Sequence, residues 1–485
     1  MSKFNGTKTM KTTNSCGYPA YAMTDKAKLV AQVMTTFFGE PKFYGDNTPE
    51  LISLATKLTA TSPEFVANLA RYARKEMHLR SVSHALAVLI AHEEKSKPFI
   101  KQVVTDVVER PDDITEILAL YLTAFGKPIP NGLKKALGDA LGKFDAYQIS
   151  KYSGGKKAVK FIDVLRLTHV KPKTPEQSAL FDAIANDALP KAVRWETELS
   201  AKGNTTEVWE ELIDGGKLGY MATLRNLRNI VNAQPKNLDK ALEALADKER
   251  VLRSKQLPMR FLAAYREVRN CPACSSKVVE AIEKAIGYSV ENMPRLPGKT
   301  VLAIDVSGSM TYPLNRRSDL NCSDIAILLA VLASKLCDEY IIYSFDTKIK
   351  PITIPPESGI LAAADAIACD GGGTDITLPF TTMLENKIYA DRIILFSDNE
   401  INCCDNVFMH TRNRFPKCQE LADKYRKEVN PELWVHAVDL MGYGTQQFIG
   451  GKTNVIAGWN DRILEFIKLA ELGTDNQVRA IENYK

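Results

Sequence analysis

Cysteine is scarce in this chain, nine residues among 485, and the nine fall at irregular spacings. That is too few to staple a small secreted scaffold, so reduced thiols and a cytoplasmic location are expected. Long apolar runs are missing as well. The longest, Ile325–Ala333, has nine residues, whereas a bilayer-spanning helix needs about 20. The first 23 residues are polar and hold no apolar stretch of the secretory type. No G-x-x-x-x-G-K-S/T segment follows an apolar run, which excludes a P-loop. The six histidines are scattered, none spaced with a serine or cysteine as base and nucleophile. Paired carboxylates for two-metal hydrolysis are also wanting, so neither enzymatic activity in general nor a nuclease in particular is expected. Cys271-Pro272-Ala273-Cys274 lacks the second ligand pair that zinc requires and reads as a turn between helices. Cys403-Cys404 closely follows the Asp398–Glu400 loop, with exposure to oxidation the lesser of its readings, and Cys418 reads as packed on a helix.

What the chain does have is a lopsided charge. The net is +5 overall, but residues 1–298 carry +11 and residues 299–485 carry −6. A basic region beside an acidic one points to a polyanion on one side and a cation on the other.

Periodicity divides the chain at the same place. Thr48-Pro49-Glu50, Ser62-Pro63-Glu64 and Thr174-Pro175-Glu176 share one helix-start pattern. A hydroxyl can accept from the orphan amides, proline suits the first helical position, and glutamate complements the dipole. Apolar residues at helical spacing run through Leu29–Phe37, Ile114–Phe125, Leu238–Leu245 and Phe261–Val268, with Gly39, Gly126 and Gly287 as expected stops. No strand pattern stands out between 24 and 290. Helices over some 270 residues suit a solenoid of paired helices better than one bundle. The pattern breaks at Met293–Gly298. Thereafter TVLAID (300–305), YIIYSF (340–345), RIILFS (392–397), LWVHAV (433–438) and TNVIA (453–457) read as buried strands alternating with helices. The expected domains are a terminal segment 1–23, a helical-repeat domain 24–298 and a doubly wound α/β domain 299–485.

Oxygen donors gather after the first of these strands, in Asp305-Val306-Ser307-Gly308-Ser309. More come with Gly371-Gly372-Gly373-Thr374-Asp375 and with Asp398 after RIILFS. With no histidine or cysteine among them, the set selects Mg²⁺ or another hard divalent cation. The D-x-S-x-S, G-G-T and S-D-N segments resemble the metal-ion-dependent adhesion site of a von Willebrand factor A domain over residues 299–470. The resemblance implies that Ser307, Ser309 and Thr374 ligate the metal, with Asp305 and Asp398 acting directly or through water. The ion could equally attract an acidic group of a partner or serve a passive structural role.

Basic residues gather in three segments of the helical part. Arg71, Arg74 and Arg80 lie in 68–91. Lys151, Lys156, Lys157, Lys160, Arg166, His169 and Lys171 lie in 148–172, where Asp163 is the single acid. Arg225 and Arg228 lie in 221–231. Lysine and arginine with interleaved tyrosines suit phosphate contacts and base stacking. The segment QISKYSGGKKAVKFIDVLRLTHVKP, preceded by RYARKEMHLRS and followed by TLRNL, resembles the TROVE domain of the Ro autoantigen family. Members of that family also end in an A domain with D-V-S-x-S-M, G-G-T-D and F-x-D-N-E, here Asp305–Met310, Gly372–Asp375 and Phe396–Glu400.

The resemblance implies a monomeric ring of HEAT-like helical repeats closed by the A domain. It also implies Y RNA on an outer basic face, single-stranded 3′ ends of misfolded or precursor RNA in the central hole, and cooperation with an exoribonuclease such as polynucleotide phosphorylase. Y RNA contacts carry over to Lys151 and His169, with a further contact at Lys156 or Lys157, where this chain has an extra residue and lysine in place of arginine. The expected role is RNA quality control, maturation or decay. The alternative is a Mg²⁺-dependent protein-interaction scaffold whose A domain docks an acidic partner. The absence of an N-terminal extension and the short A domain lean toward a bacterial or phage source.

Overall fold

The computed structural model describes residues 11–14, 17–35, 48–190, 194–291, 293–312, 320–355, 357–369, 371–401, 417–458, 463–472 and 477–485, with residues 356, 370 and 292 among those outside it. Gly39 and Cys403-Cys404 therefore lie outside the described residues. Nine strands are described: β1 (Lys11–Thr13), β2 (Pro19–Ala22), β3 (Leu296–Asp305), β4 (Cys337–Phe345), β5 (Ile349–Ile352), β6 (Arg392–Ser397), β7 (Trp434–Asp439), β8 (Thr445–Gln446) and β9 (Thr453–Ala457). From Thr48 to Ser289 every described regular element is a helix. The fold is thus a helical-repeat region followed by a mixed α/β sheet.

Two compact units result: Met1–Thr35 with Trp195–Gln477, and Thr36–Arg194 with Val478–Lys485. In the second, helix Pro63–Lys75 packs on Ser81–His92, which packs on Pro111–Phe125, while Ile100–Val107 packs on Asn131–Leu141. Leu69, Leu86, Ile90, Val103, Ile117, Leu133 and Leu137 are its core, recurring at helical spacing as an amphipathic stack requires. The helix-start pattern works unevenly. Thr174 accepts from the Gln177 amide at 3.2 Å, whereas the Ser62 side chain caps nothing and Pro63 alone marks that start. Gly126 closes its helix as expected, but Gly287 lies inside helix Ser276–Ser289.

In the first unit a six-stranded sheet runs in the order β5-β4-β3-β6-β7-β9. Five strands are parallel and β5 is an antiparallel edge. The five parallel strands fall where the apolar runs placed them; β5 was not anticipated, because Ile349–Ile352 is short and half exposed. Helix Cys322–Leu336 is buried along nearly its whole length. Strands near the chain start were also not anticipated. There β1 pairs with β2, and β2 with β8, as Tyr21↔Gln446 and Ala22↔Thr445. The Asn14 side-chain amide donates to the Ile401 carbonyl at 2.8 Å, 387 residues away. Among the described residues no helix is long and apolar enough to cross a membrane.

Candidate functional site

Parallel sheets present their carboxyl edge to ligands, and the oxygen cluster lies on that edge. Asp305 ends β3, Asp398 directly follows β6, and Asp439 ends β7. Two loops are joined by main-chain hydrogen bonds, Gly308 amide to Gly372 carbonyl (2.8 Å) and Gly371 amide to Val306 carbonyl (3.2 Å). A Cβ on Gly308 would stand 3.3 Å from the Gly372 carbonyl oxygen. Glycine thus eases the close approach of the two loops, where a side chain would crowd the carbonyl. The stitched loops hold Ser307 and Thr374, both fully buried, and the Ser307 and Ser309 hydroxyls are 3.2 Å apart.

The carboxylates are held by short-range donors. Asp305 accepts from the Ser307 amide at 2.9 Å and from the Ser397 hydroxyl at 2.5 Å. Asp398 accepts from the Glu400 amide at 3.0 Å through one oxygen, while its other oxygen is buried with no hydrogen-bond partner. Asp439, absent from the sequence-derived set, accepts from the Met441 and Gly442 amides and likewise keeps one buried oxygen without a partner. Burial, then the charge of Asp398, pushes the Asp305 carboxyl up to about 7. Burial does the same for Asp439, also to about 7, and raises Asp398.

Buried carboxylates that repel one another and leave oxygens unsatisfied want a cation, and the donor chemistry is that of a hard one. His, Cys, Asp and Glu alone form no group of three or more able to hold a metal among the described residues. A cation here would therefore rest on hydroxyls as much as on carboxylates. Asp439 was legible in principle, since it ends a strand just as Asp305 does. Its position beside the cluster depends on β7 neighbouring β6.

The basic segments behave differently from one another. Arg71 and Arg74 are buried, which corrects the expectation of an exposed patch. Arg71 pairs with Asp106 at 2.6 Å. Arg74 and Arg80 converge on the fully buried Asp113, at 3.1 and 2.6 Å, and His84 Nε2 lies 3.1 Å from the same carboxylate. The Glu109 and Arg110 amides also donate to Asp113. Burial alone would push this carboxyl up. The hydrogen bond and charge of His84, with Arg80 and Arg74, hold it well below the usual carboxylate range. These arginines sit on core helices, where a buried cation persists only if paired.

The 148–172 segment is open by contrast. Lys156, Arg166 and His169 are exposed and Lys151 is half-buried. The capping box of Asp145 and Gln148 fixes the short helix Ala146–Ser150, and Lys151 follows it with its ammonium 4.4 Å from the centre of the Tyr147 ring. Gly155, at φ +88°, turns the chain where a side chain would be strained. His169 caps helix Phe161–Thr168 in a left-handed conformation. Lys157 points inward. It donates to the Tyr152 carbonyl and lies 5.8 Å from the Phe161 ring centre, and burial holds its ammonium below the usual lysine range. Arg225 and Arg228 are exposed but belong to the other compact unit, where Arg228 pairs with Glu267 at 2.5 Å. Cys271–Cys274 forms the turn between two helices, and Cys418 is buried on its helix.

Paired helices with a basic exposed segment, joined to a parallel sheet with a D-x-S-x-S loop on its carboxyl edge, define a class: helical-repeat proteins carrying a von Willebrand A-type domain. The TROVE domain family model matches residues 9–189 and 185–281, and the Ro60 vWA domain model matches 299–415. The chain belongs to the TROVE family and is a Ro family member. Similar curated proteins include the RNA-binding protein RO60 of Caenorhabditis elegans, 29% identical over 209 residues covering 41% of this chain and 32% of that protein. The RO60 protein of Deinococcus radiodurans is 26% identical over 126 residues, covering 26% of this chain and 24% of its own. Telomerase protein component 1 of Rattus norvegicus is 25% identical over 297 residues, 44% of this chain but 11% of its own. The chain thus spans a third or less of the length of each of these relatives. The crystal structure of the Deinococcus radiodurans RO (RSR) protein shares the fold, with TM-score 0.64 and 16% identity over 93% of this chain and 100% of that one.

Proposed function

We propose that this protein binds RNA through the exposed face of the 148–172 segment, as the core of a small ribonucleoprotein. The carrying observation is the exposure of Lys156, Arg166 and His169, with Lys151 half-buried, in one segment of a TROVE domain, a domain shared with relatives named as RNA-binding proteins. Phosphate contacts supply affinity without sequence preference, and a histidine at a helix end can hydrogen-bond or stack on a base. Of the two adjacent lysines, Lys156 takes the phosphate and Lys157 anchors the loop, because the Lys157 ammonium is already engaged by the Tyr152 carbonyl. The ligand proposed is a Y-like structured RNA, with single-stranded 3′ ends of misfolded or precursor RNA as further clients. Quality control or maturation, with an exoribonuclease as partner, is the role.

In the A domain, Ser307, Ser309 and Thr374, with Asp305 and Asp398, would hold Mg²⁺. When bound, the ion supplies positive charge that offsets the buried carboxylates. Meanwhile the Ser307 amide and Ser397 hydroxyl orient Asp305, and the Glu400 amide orients Asp398.

The test is purification from the native host at low salt, with sequencing of the RNA that accompanies the wild type and a Lys151→Ala/His169→Ser variant. A discrete structured RNA present with the first and missing from the second is expected. RNA absent from both, or equally abundant and random in both, overturns the reading.

A further inference from the structure

A singly exposed aromatic is common on a protein surface, but a ring held in a fixed orientation beside a cation is a stacking platform. Tyr147 is 48% exposed, among the most exposed of the large hydrophobic residues described. Its place is not loosely determined. The Asp145 carboxylate accepts from the Gln148 amide at 2.7 Å, and the Gln148 side chain accepts from the Asp145 amide at 3.0 Å. Ile149 and Ser150, on the same short helix, are buried and fix its roll. Tyr147 and Lys151 stand four residues apart, on one helical face, and the ammonium lies 4.4 Å from the ring centre. The Lys151 carbonyl accepts from Arg194, so the backbone carrying the cation is tied down as well. An oriented, solvent-facing ring beside a phosphate-seeking ammonium is the arrangement that proteins use to stack a nucleobase while gripping its backbone.

We propose that Tyr147 is a nucleobase-binding subsite: an unpaired base of the RNA stacks on its exposed face while Lys151 contacts the adjacent phosphate. The inference rests on the RNA-binding reading given above and extends it. A paired stem has no free base face to offer, so Tyr147 selects RNA carrying a bulged or looped-out nucleotide over an uninterrupted helix.

The competing role for Tyr147 is an apolar shelf for the Lys151 stem, and the substitutions separate the two. Leucine keeps a shelf and removes the π face; phenylalanine keeps both. The full-length protein is titrated by fluorescence anisotropy with two labelled synthetic hairpins of equal length, one with a single-purine bulge and one fully paired. Alanine substitution of base-stacking aromatics corresponds to about a 5- to 150-fold loss in affinity. Tyr147→Leu is therefore expected to weaken binding of the bulged hairpin by at least about 5-fold. It leaves the paired hairpin within about twofold of wild type, and Tyr147→Phe binds both as wild type does. The proposal is overturned if Tyr147→Leu leaves the bulged hairpin unchanged, if it weakens both hairpins equally, or if Tyr147→Phe falls as far as Tyr147→Leu. Lys151→Ala is measured alongside. If it weakens neither hairpin, the RNA-binding reading of this surface fails too; if it weakens both while Tyr147→Leu weakens neither, only the stacking subsite is lost. The side chain is half exposed, so an unchanged circular dichroism melt is expected of each Tyr147 variant.

Discussion

Replacing Asp113 with asparagine removes one negative charge from a fully buried position ringed by donors. Arg74, Arg80 and His84 approach the carboxylate at 3.1, 2.6 and 3.1 Å, and two backbone amides donate to it at 3.0 and 2.8 Å. Asparagine keeps the shape but turns an NH₂ toward arginine and backbone N–H groups that can only donate. Arg74 retains the Val107 carbonyl at 3.0 Å, and Arg80 retains Asp112 and Glu116. The loss is therefore partial, and breaking one side of a buried pair costs about 3–5 kcal/mol. For a unit of this size that corresponds to a fall in melting temperature of about 6–20 °C.

The pH dependence has a definite sign. The folded Asp113 pKa lies below its ordinary value of 3.8, so the stabilisation is complete above the unfolded pKa and drains away as pH falls below about 4. Wild type and variant should differ by the full amount at pH 7, and the gap should narrow by only about 1 kcal/mol by pH 3, because the folded carboxyl still holds its charge there. Far-UV circular dichroism follows helix loss. Tryptophan fluorescence follows the other unit, since residues 195, 209, 434 and 459 all fall within Trp195–Gln477. A variant within about 1 kcal/mol of wild type at pH 7, or a difference that grows on acidification, would refute the reasoning.

Three further outcomes follow from the same geometry. Mg²⁺ at about a hundred times its dissociation constant should stabilise the A-type domain by about 2.7 kcal/mol, read as a rise in the fluorescence-detected melting point. Asp398→Ala should abolish that rise, and a rise that persists would remove Asp398 from the metal site. Lys156→Ala should lower RNA affinity and reduce the slope of log K against log salt by about 1 at unchanged melting temperature. Lys157→Ala should instead lower the melting temperature through its lost bond to the Tyr152 carbonyl, and equal salt slopes for the two variants would cancel the distinction. Glu471, bidentate to the buried Arg392 and 3.0 Å from His436 Nε2, should cost about 3–5 kcal/mol when changed to alanine, measured by urea unfolding; a loss under about 1 kcal/mol would show that the pair is readily solvated.

Local pattern alone determined much of this protein. Strand runs such as RIILFS and TNVIA became β6 and β9, because short β-branched and apolar runs between turn signals suit a parallel sheet covered by helices. The D-x-S-x-S loop was legible because its donors are adjacent in the chain. The arginines of helix Pro63–Lys75 were not legible: charge in a sequence carries no direction. Only the packing of this helix against Ile100–Val107, with Asp113 close behind, turned Arg71 and Arg74 inward. Lys156 and Lys157 are chemically identical in the sequence; the fold distinguishes them by leaving one in water and giving the other a carbonyl. Asp439 and the β2–β8 pairing likewise join residues far apart in the chain. Periodicity and turn chemistry act over a few residues and can be read directly. Burial, pairing and the pKa of a carboxylate depend on neighbours that only the tertiary structure supplies.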